Sequence, residues 1–306
     1  MESNRPVRRC GVKARQWHTF VLRSNSIFTN AVYGPRQTAY SAEVQILGRL
    51  KSCQSVPMKG PIADSGEPTL AYRDAAGRDQ TLPLDRVHNQ DLALAGPWRT
   101  FRWHRGQPHY SGMYWSATMR ANVVSESRLE LARLLLADFD RAVVTIVAQP
   151  FQLSARIDGR IRRHVPDFLL RDGTGAGTVV DVKPAGLLAE PTVARTLAWA
   201  GELIEARGWR FEVWSGCDGV LLTNVRFLAG YRRSWLFSED LLNEVLAAVG
   251  DGDTIAAVER RLAPRRQART VRPALLHLLW RGEFTADLHQ VLGGTTTLRR
   301  PRERAA

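Results

Sequence analysis

Asp167, Asp181 and Lys183 are the residues whose types and spacing best suit chemistry. They stand in the stretch "RRHVPDFLLRDGTGAGTVVDVKPAG", residues 162–186. Lysine is scarce in this chain: Lys13, Lys51, Lys59 and Lys183 are the four among 43 basic residues, so a lysine two positions after an acid is unusual here. Successive side chains of a strand point to opposite faces. In "VVDVK", Asp181 and Lys183 therefore share one face, and Val180 and Val182 the other. If "VPDFLL" and "VVDVK" pair across "GTGAG", a loop centred on Thr174 sets Asp167 opposite Asp181. A loop centred on Gly175 sets it opposite Lys183. Either register puts the three groups on one face. Two converging carboxylates make a hard, oxygen-rich site suited to Mg2+. Such an ion polarises a phosphate and lowers the pKa of a bound water. A lysine beside it holds that water or neutralises charge developing in the transition state. The set is a minimal kit for phosphodiester hydrolysis; the plainer reading is a polar hairpin with an exposed ion pair.

The preceding segment offers a third carboxylate. Glu126 and Glu130 are four apart in "SESRLELARLLLADFD" and share a helix face. Ser127-x-x-Glu130 is also a capping box, in which the glutamate only closes a helix N-terminus. Spacing alone leaves the two readings of Glu130 even.

These groups need elements to position them. Leu129, Ala132, Leu135 and Leu136 recur at helical spacing. "VVTIVAQ", "FQLSARI", "RIRRHVPDFLL" and "TVVDVK" read as strands, bounded by Pro150, Asp158-Gly159 and "RDGTGAG". "VARTLAWAGELIEARG" reads as an amphipathic helix stopping at Gly208, and "FEVW" and "GVLLT" as short closing strands. A helix, a strand meander, then a helix and strands make an α/β domain. After Tyr231 the pattern turns helical: "SEDLLNEVLAAV" with Ser238 as N-cap, "TIAAVERRL", "PALLHLLW" and "TADLHQVL". "GGTTTLRR" reads as a turn and a short β-arm, which together with the helices suggests a winged helix. "PTLAYRD" and "QTLPLDRV" are strand-like without assignable fold.

The run "ESRLELARLLLADFDRAVVTIVAQPFQL…RRHVPDFLL…TVVDVKPAG" resembles TnsA-like endonuclease subunits of heteromeric transposases, in the PD-(D/E)xK, restriction-endonuclease-like superfamily. The order matches: a helix with Ser-x-x-Glu, a strand leading into Gln-Pro, Pro-Asp, then acid-x-Lys-Pro. "NVRFLAGYRR" is similar to the segment leading into that family's C-terminal domain. In this family the third motif can be Gln-x-Lys; here it is Asp181-x-Lys183, the commoner superfamily form. The resemblance covers residues 100–235 well and the helical tail loosely. It implies a central mixed sheet flanked by helices, with Glu130, Asp167, Asp181 and Lys183 catalytic, and Glu126 as the fallback for Glu130. It also implies Mg2+, with Mn2+ able to substitute, held by Glu130, Asp167, Asp181 and the Val182 backbone carbonyl. Gln149 is then a core-edge amide beside the catalytic helix, and His164 a strand residue near phosphate. Such subunits cut the 5′ (non-transferred) strand at transposon ends while a DDE-type transposase cuts and joins the 3′ ends. Double-stranded DNA, that transposase and an AAA+ regulator are the implied partners.

The whole composition agrees with a polyanionic partner, since the formal net charge is +13. The expected division is a basic extension of unknown fold over 1–95, an endonuclease domain over 96–235 and a helical, winged-helix-like domain over 236–306. Residues 1–37 carry seven basic residues against one acid, a candidate basic arm. "GPWRTFRWHRGQPHYSGMYW" interleaves aromatics with arginine, which suits either base stacking or core packing. Cys10, Cys53 and Cys217 form no CxxC pair, so no zinc site or disulfide framework is expected. No apolar run reaches membrane-span length and the N-terminus lacks a secretory signal pattern, which points to the cytoplasm. Two other functions fit the same residues: a superfamily nuclease of repair or restriction acting without a transposase, and a DNA-binding assembly subunit whose nuclease domain is structural.

Overall fold

A computed structural model describes residues 66–99 and 112–301. The candidate basic arm, most of the 1–95 extension and the centre of the aromatic–arginine stretch lie outside the described residues. The fold is mixed α/β.

Ten strands are present among the described residues: β1 Thr69–Arg73, β2 Asp79–Pro83, β3 Gly112–Ser116, β4 Ala121–Ser125, β5 Val143–Ala148, β6 Gln152–Ile157, β7 Arg160–His164, β8 Phe168–Asp172, β9 Gly177–Val182 and β10 Arg210–Trp214. The helices are α1 Asn89–Leu92, α2 Arg128–Phe139, α3 Pro191–Ala206, α4 Gly219–Leu228, α5 Glu239–Ala248, α6 Ile255–Leu262 and α7 Ala268–Trp280.

The central sheet has the order β10-β9-β8-β5. Strands β5, β8 and β9 run antiparallel, whereas β10 pairs parallel to β9 after a crossover through α3. Both faces are buried, and alternation shows it. Ile146, Ala148, Phe168, Leu170, Val180 and Val182 join one core with α2, α4 and the C-terminal helices. Val147, Leu169 and Val179 join a second core with α3, β1 and β6. The strand-like runs "PTLAYRD" and "QTLPLDRV" form the β1–β2 hairpin, which extends a second antiparallel sheet of order β2-β1-β6-β7.

The reading of "RIRRHVPDFLL" as one strand needs correction. It is two strands, β7 and β8, in different sheets, with Val165-Pro166-Asp167 between them. The matching break on the partner lies at Gln149-Pro150-Phe151. Proline has no N–H to give a ladder, so each proline ends its strand's pairing. The result is one long hairpin bent in the middle. Its tip is Asp158-Gly159, both at positive φ, as a two-residue type I′ turn requires.

Two further expectations fail. "GVLLT" is the start of α4, not a strand. The Asp218 side chain accepts the Leu221 N–H at 2.8 Å, capping a helix whose Leu221, Val225 and Leu228 face the core. "TADLHQVL" forms no helix. Asp287 accepts the His289 N–H at 3.0 Å, a local turn that competes with helix, and the buried Asn224 amide satisfies the Leu288 and Gln290 carbonyls at 2.8 and 2.7 Å. Of two isolated antiparallel bridges, Thr254↔Thr297 holds the chain after α7 against the start of α6, and Thr285↔Arg299 closes that chain on itself. Among the described residues no helix is long and apolar enough to cross a membrane.

Candidate active site

The β8–β9 register decides where the acids stand. Phe168 pairs with Val180 and Leu170 with Thr178, so the loop is centred on Thr174. Asp167 lies one residue before β8, at the end of this ladder, with its N–H on the Val180 carbonyl at 3.0 Å. Asp181 is interior to β9 on the same face as Val179. Lys183 follows β9, its N–H held by the Trp214 carbonyl of β10 at 2.9 Å. The parallel β9–β10 pair thus fixes the lysine's backbone.

The side chains converge. Asp167 Oδ2 accepts the Val182 N–H at 2.6 Å, and Lys183 Nζ lies 3.5 Å from the same oxygen and 3.9 Å from Asp181 Oδ1. Lys183 Nζ also donates to the Val182 carbonyl at 3.1 Å. Asp181 is fully buried. Its Oδ2 meets His164 Nε2 at 2.7 Å; facing a carboxylate, that nitrogen carries the proton. Burial, then the negative charge of Asp181, push the Asp167 carboxyl above the usual range, while Lys183 pulls it back.

Glu130 reaches the same place from the N-terminus of α2. Its N–H donates to Ser127 Oγ at 3.0 Å, and its Oε2 accepts the Glu126 N–H at 2.6 Å. Both halves of a cap are present, shifted by one residue from the usual box. The same carboxyl is pushed up to about 7, mainly by burial and also by the charge of Asp167. Capping and membership of the acid cluster therefore coexist. The fallback, Glu126, turns its carboxylate to Arg99 Nη1 at 3.0 Å.

Gln149 completes the frame. It is buried at a φ of 46°, a left-handed conformation that costs a non-glycine residue about 1–3 kcal/mol. Its N–H donates to the Asp167 carbonyl at 2.8 Å, its carbonyl accepts the Trp98 N–H at 3.0 Å, and its Oε1 accepts the Arg99 N–H at 3.3 Å. The backbone of Gln149 thus bears directly on that of Asp167, while its side-chain amide, read as a core-edge group, takes the Arg99 N–H.

Do these residues fit a divalent cation? Asp181 Oδ1 is buried with no hydrogen-bond donor. A carboxylate oxygen left so is costly, and the Lys183 ammonium, 3.9 Å away and beyond hydrogen-bond distance, offsets only part of its charge. Among the described residues no three His, Cys, Asp or Glu side chains stand as a ready-made cation cage, and the Lys183 ammonium occupies the space between the two aspartates. Asp167, Asp181 and the Val182 carbonyl are nonetheless hard oxygen donors of the kind a small divalent ion takes, and Glu130 is near enough to Asp167 to feel its charge; an ion between them would have to displace the Lys183 ammonium, which is 29% exposed. The His164–Asp181 contact had no signal in spacing, because the bend at Pro150 and Pro166 sets β7 in another sheet; the Arg99–Glu126 pair joins segments 27 residues apart outside that hairpin.

Comparison of the chain with protein-family models and with curated proteins gives no match.

Proposed function

We propose that the chain is a metal-dependent DNA endonuclease with a restriction-endonuclease-like core, acting as the TnsA-like subunit of a heteromeric transposase and cutting the 5′ strand at transposon ends. The observation that carries this reading is the buried Asp181 oxygen without a hydrogen-bond donor, with Lys183 bridging Asp181 and Asp167 and Glu130 within the field of Asp167. A helix, three antiparallel strands, a crossover helix and a parallel fourth strand support the core assignment. Helices α5, α6 and α7 with the two bridges after α7 support a winged helix, in which residues 286–296 form the wing. The charge of +13 supports a DNA partner. A DDE-type transposase and an AAA+ regulator are the proposed protein partners, and the cytoplasm the proposed location.

In this mechanism Asp167, Asp181, Glu130 and the Val182 carbonyl would hold Mg2+, or Mn2+ in its place. The ion would supply a polarised phosphate and a more acidic bound water. His164 holds Asp181 Oδ2, which fixes the carboxylate's plane and leaves Oδ1 for the ion. Asp167 is held by the Val182 N–H and, through its own carbonyl, by Gln149. Lys183 orients the attacking water or offsets charge as it builds on the phosphate oxygens.

The deciding experiment is a nicking assay on end-containing duplex DNA with Mg2+, with and without a partner transposase. Lys183→Ala should abolish cleavage, a loss of at least about 100-fold, while duplex affinity stays within about twofold. Asp181→Ala should lose cleavage together with Mn2+ binding by calorimetry. Cleavage retained in Lys183→Ala sinks the mechanism.

A further inference from the structure

A polar cavity lies where the β8–β9 loop meets the C-terminal end of α3. It has a volume of about 440 Å3 and is lined by Arg171, Arg207, Asn89, Gln90, Thr174 and Trp209, among others. No carboxylate lines it.

Its walls are built, not incidental. Helix α3 ends in a Schellman motif: Gly208 has a φ of 83°, its N–H bonds the Glu205 carbonyl at 2.8 Å, and the Trp209 N–H bonds the Ile204 carbonyl at 3.2 Å. This turn sets Arg207 and Trp209 side by side, guanidinium over indole at 5.6 Å. Arg207 Nε and Nη2 donate to the Leu84 and Val87 carbonyls at 3.1 and 2.7 Å, which pins its plane and leaves Nη1 without a partner among the described residues. Opposite it, Asp172 Oδ1 gathers the Thr174 and Ala176 N–H groups at 3.0 Å each and stiffens the loop. Asn89 fits over Gly177, where a Cβ would come within 2.7 Å of its amide.

Two buried polar atoms here have no partner: Arg171 Nε and Asn89 Oδ1. A buried guanidinium N–H left unpaired is costly, and an anion is the natural completion. The amide of Asn89, with oxygen and nitrogen interchanged, would donate to the same anion.

We propose that this cavity is a phosphate-binding site, in which Arg171 Nε, Arg207 Nη1 and the Asn89 amide donate to the oxygens of one phosphoryl group. That group is either a phosphodiester of a nucleic-acid backbone or a free phosphate. The inference does not depend on the cleavage reading, since it uses none of the residues around Asp181.

Thermal unfolding of the full chain at constant ionic strength, with chloride exchanged for inorganic phosphate, tests it. Phosphate should raise the melting temperature of the wild type and not that of Arg171→Met. In phosphate-free buffer Arg171→Met should melt no lower than the wild type, because the lost N–H has no protein partner. Gln90→Glu, which sets a carboxylate at the exposed mouth, should weaken phosphate binding by about tenfold without unfolding the chain. Duplex DNA titrations separate the two sources. A backbone phosphate predicts weaker duplex binding in both variants, with a salt slope shallower by about one. A free phosphate predicts unchanged duplex binding and lost phosphate binding. Unchanged binding of both ligands in both variants overturns the site. So does a lower phosphate-free melting temperature for Arg171→Met, which would make the arginine a structural residue.

Discussion

Glu130 shows how one carboxyl can hold two duties. Its oxygen closes the entrance to α2 through the Glu126 N–H, and its burial beside Asp167 raises its pKa to about 7. The sign of the linkage follows. The folded chain binds a proton more tightly here than the unfolded chain, whose glutamate keeps its ordinary value of 4.5. The contribution of Glu130 to metal-free stability is therefore fully present below the unfolded pKa and falls as pH rises from about 4.5 to about 7. Glu130→Gln should flatten that fall, measured by chemical denaturation with chelator at pH 5 and pH 8. The same variant should lose cleavage although glutamine still accepts the Glu126 N–H. Glu126→Gln should cut within a few-fold of wild type, since it loses only a half-exposed pair with Arg99, worth about 0.2–1 kcal/mol. Activity in Glu130→Gln with loss in Glu126→Gln would reverse the assignment.

At the scale of elements, the site is made by a bend and a crossover. Pro150 and Pro166 release β6 and β7 into a second sheet, so Asp167 stands at a strand end and not within one. The crossover helix α3 must lie close to β10 for Trp214 to hold Lys183. Gly201 permits that approach: a Cβ there would fall 2.6 Å from Phe211 Cδ1. Gly201→Ala should destabilise the fold by about 1–3 kcal/mol, read by thermal unfolding, and Phe211→Leu in the same chain should recover part of the loss. Much of this element layer was legible in sequence. Alternation gave the strands around Asp181, and Ser238, Gly208 and Ser127 gave helix ends. The bent hairpin was not, because periodicity reads each run separately and cannot say which sheet a strand joins after a proline. Nor was α4 or the loop 285–292, where an aspartate in sequence serves equally as a helix cap, as Asp218 does, or as the pivot of a turn, as Asp287 does. The convergence of Asp167, Asp181 and Lys183 on one face followed from the period of two; the His164 contact needed the third dimension.

For the whole molecule, the C-terminal helices carry a separable charge pattern but not a separable core. Val245, Val258, Val271 and Leu275 bury into the same cluster as Leu135, Leu221 and Val225, and the rings of Phe139 and Trp280 meet at 5.3 Å. A chain cut after Phe237 would expose that apolar face of α2 and α4. It should unfold without cooperativity or aggregate, so truncation is a poor test of what the tail recruits. Surface charge is the better handle. Arg265, in the turn before α7, and Arg269, in its first turn, are exposed, whereas Arg266 and Arg272 are tied to Glu244 and Glu259. If the tail docks DNA, the two untied arginines neutralise phosphates, and each contact releases counterions. Arg265→Glu with Arg269→Glu should leave the melting temperature within a few degrees of wild type, because neither side chain packs in the core. Duplex affinity should fall, with a logarithmic salt slope shallower by about two. Nicking of a short duplex at saturating DNA should persist, since Asp181 and Lys183 are untouched. Duplex affinity and salt slope equal to the wild type would remove α7 from the DNA surface and turn the tail toward its protein partners.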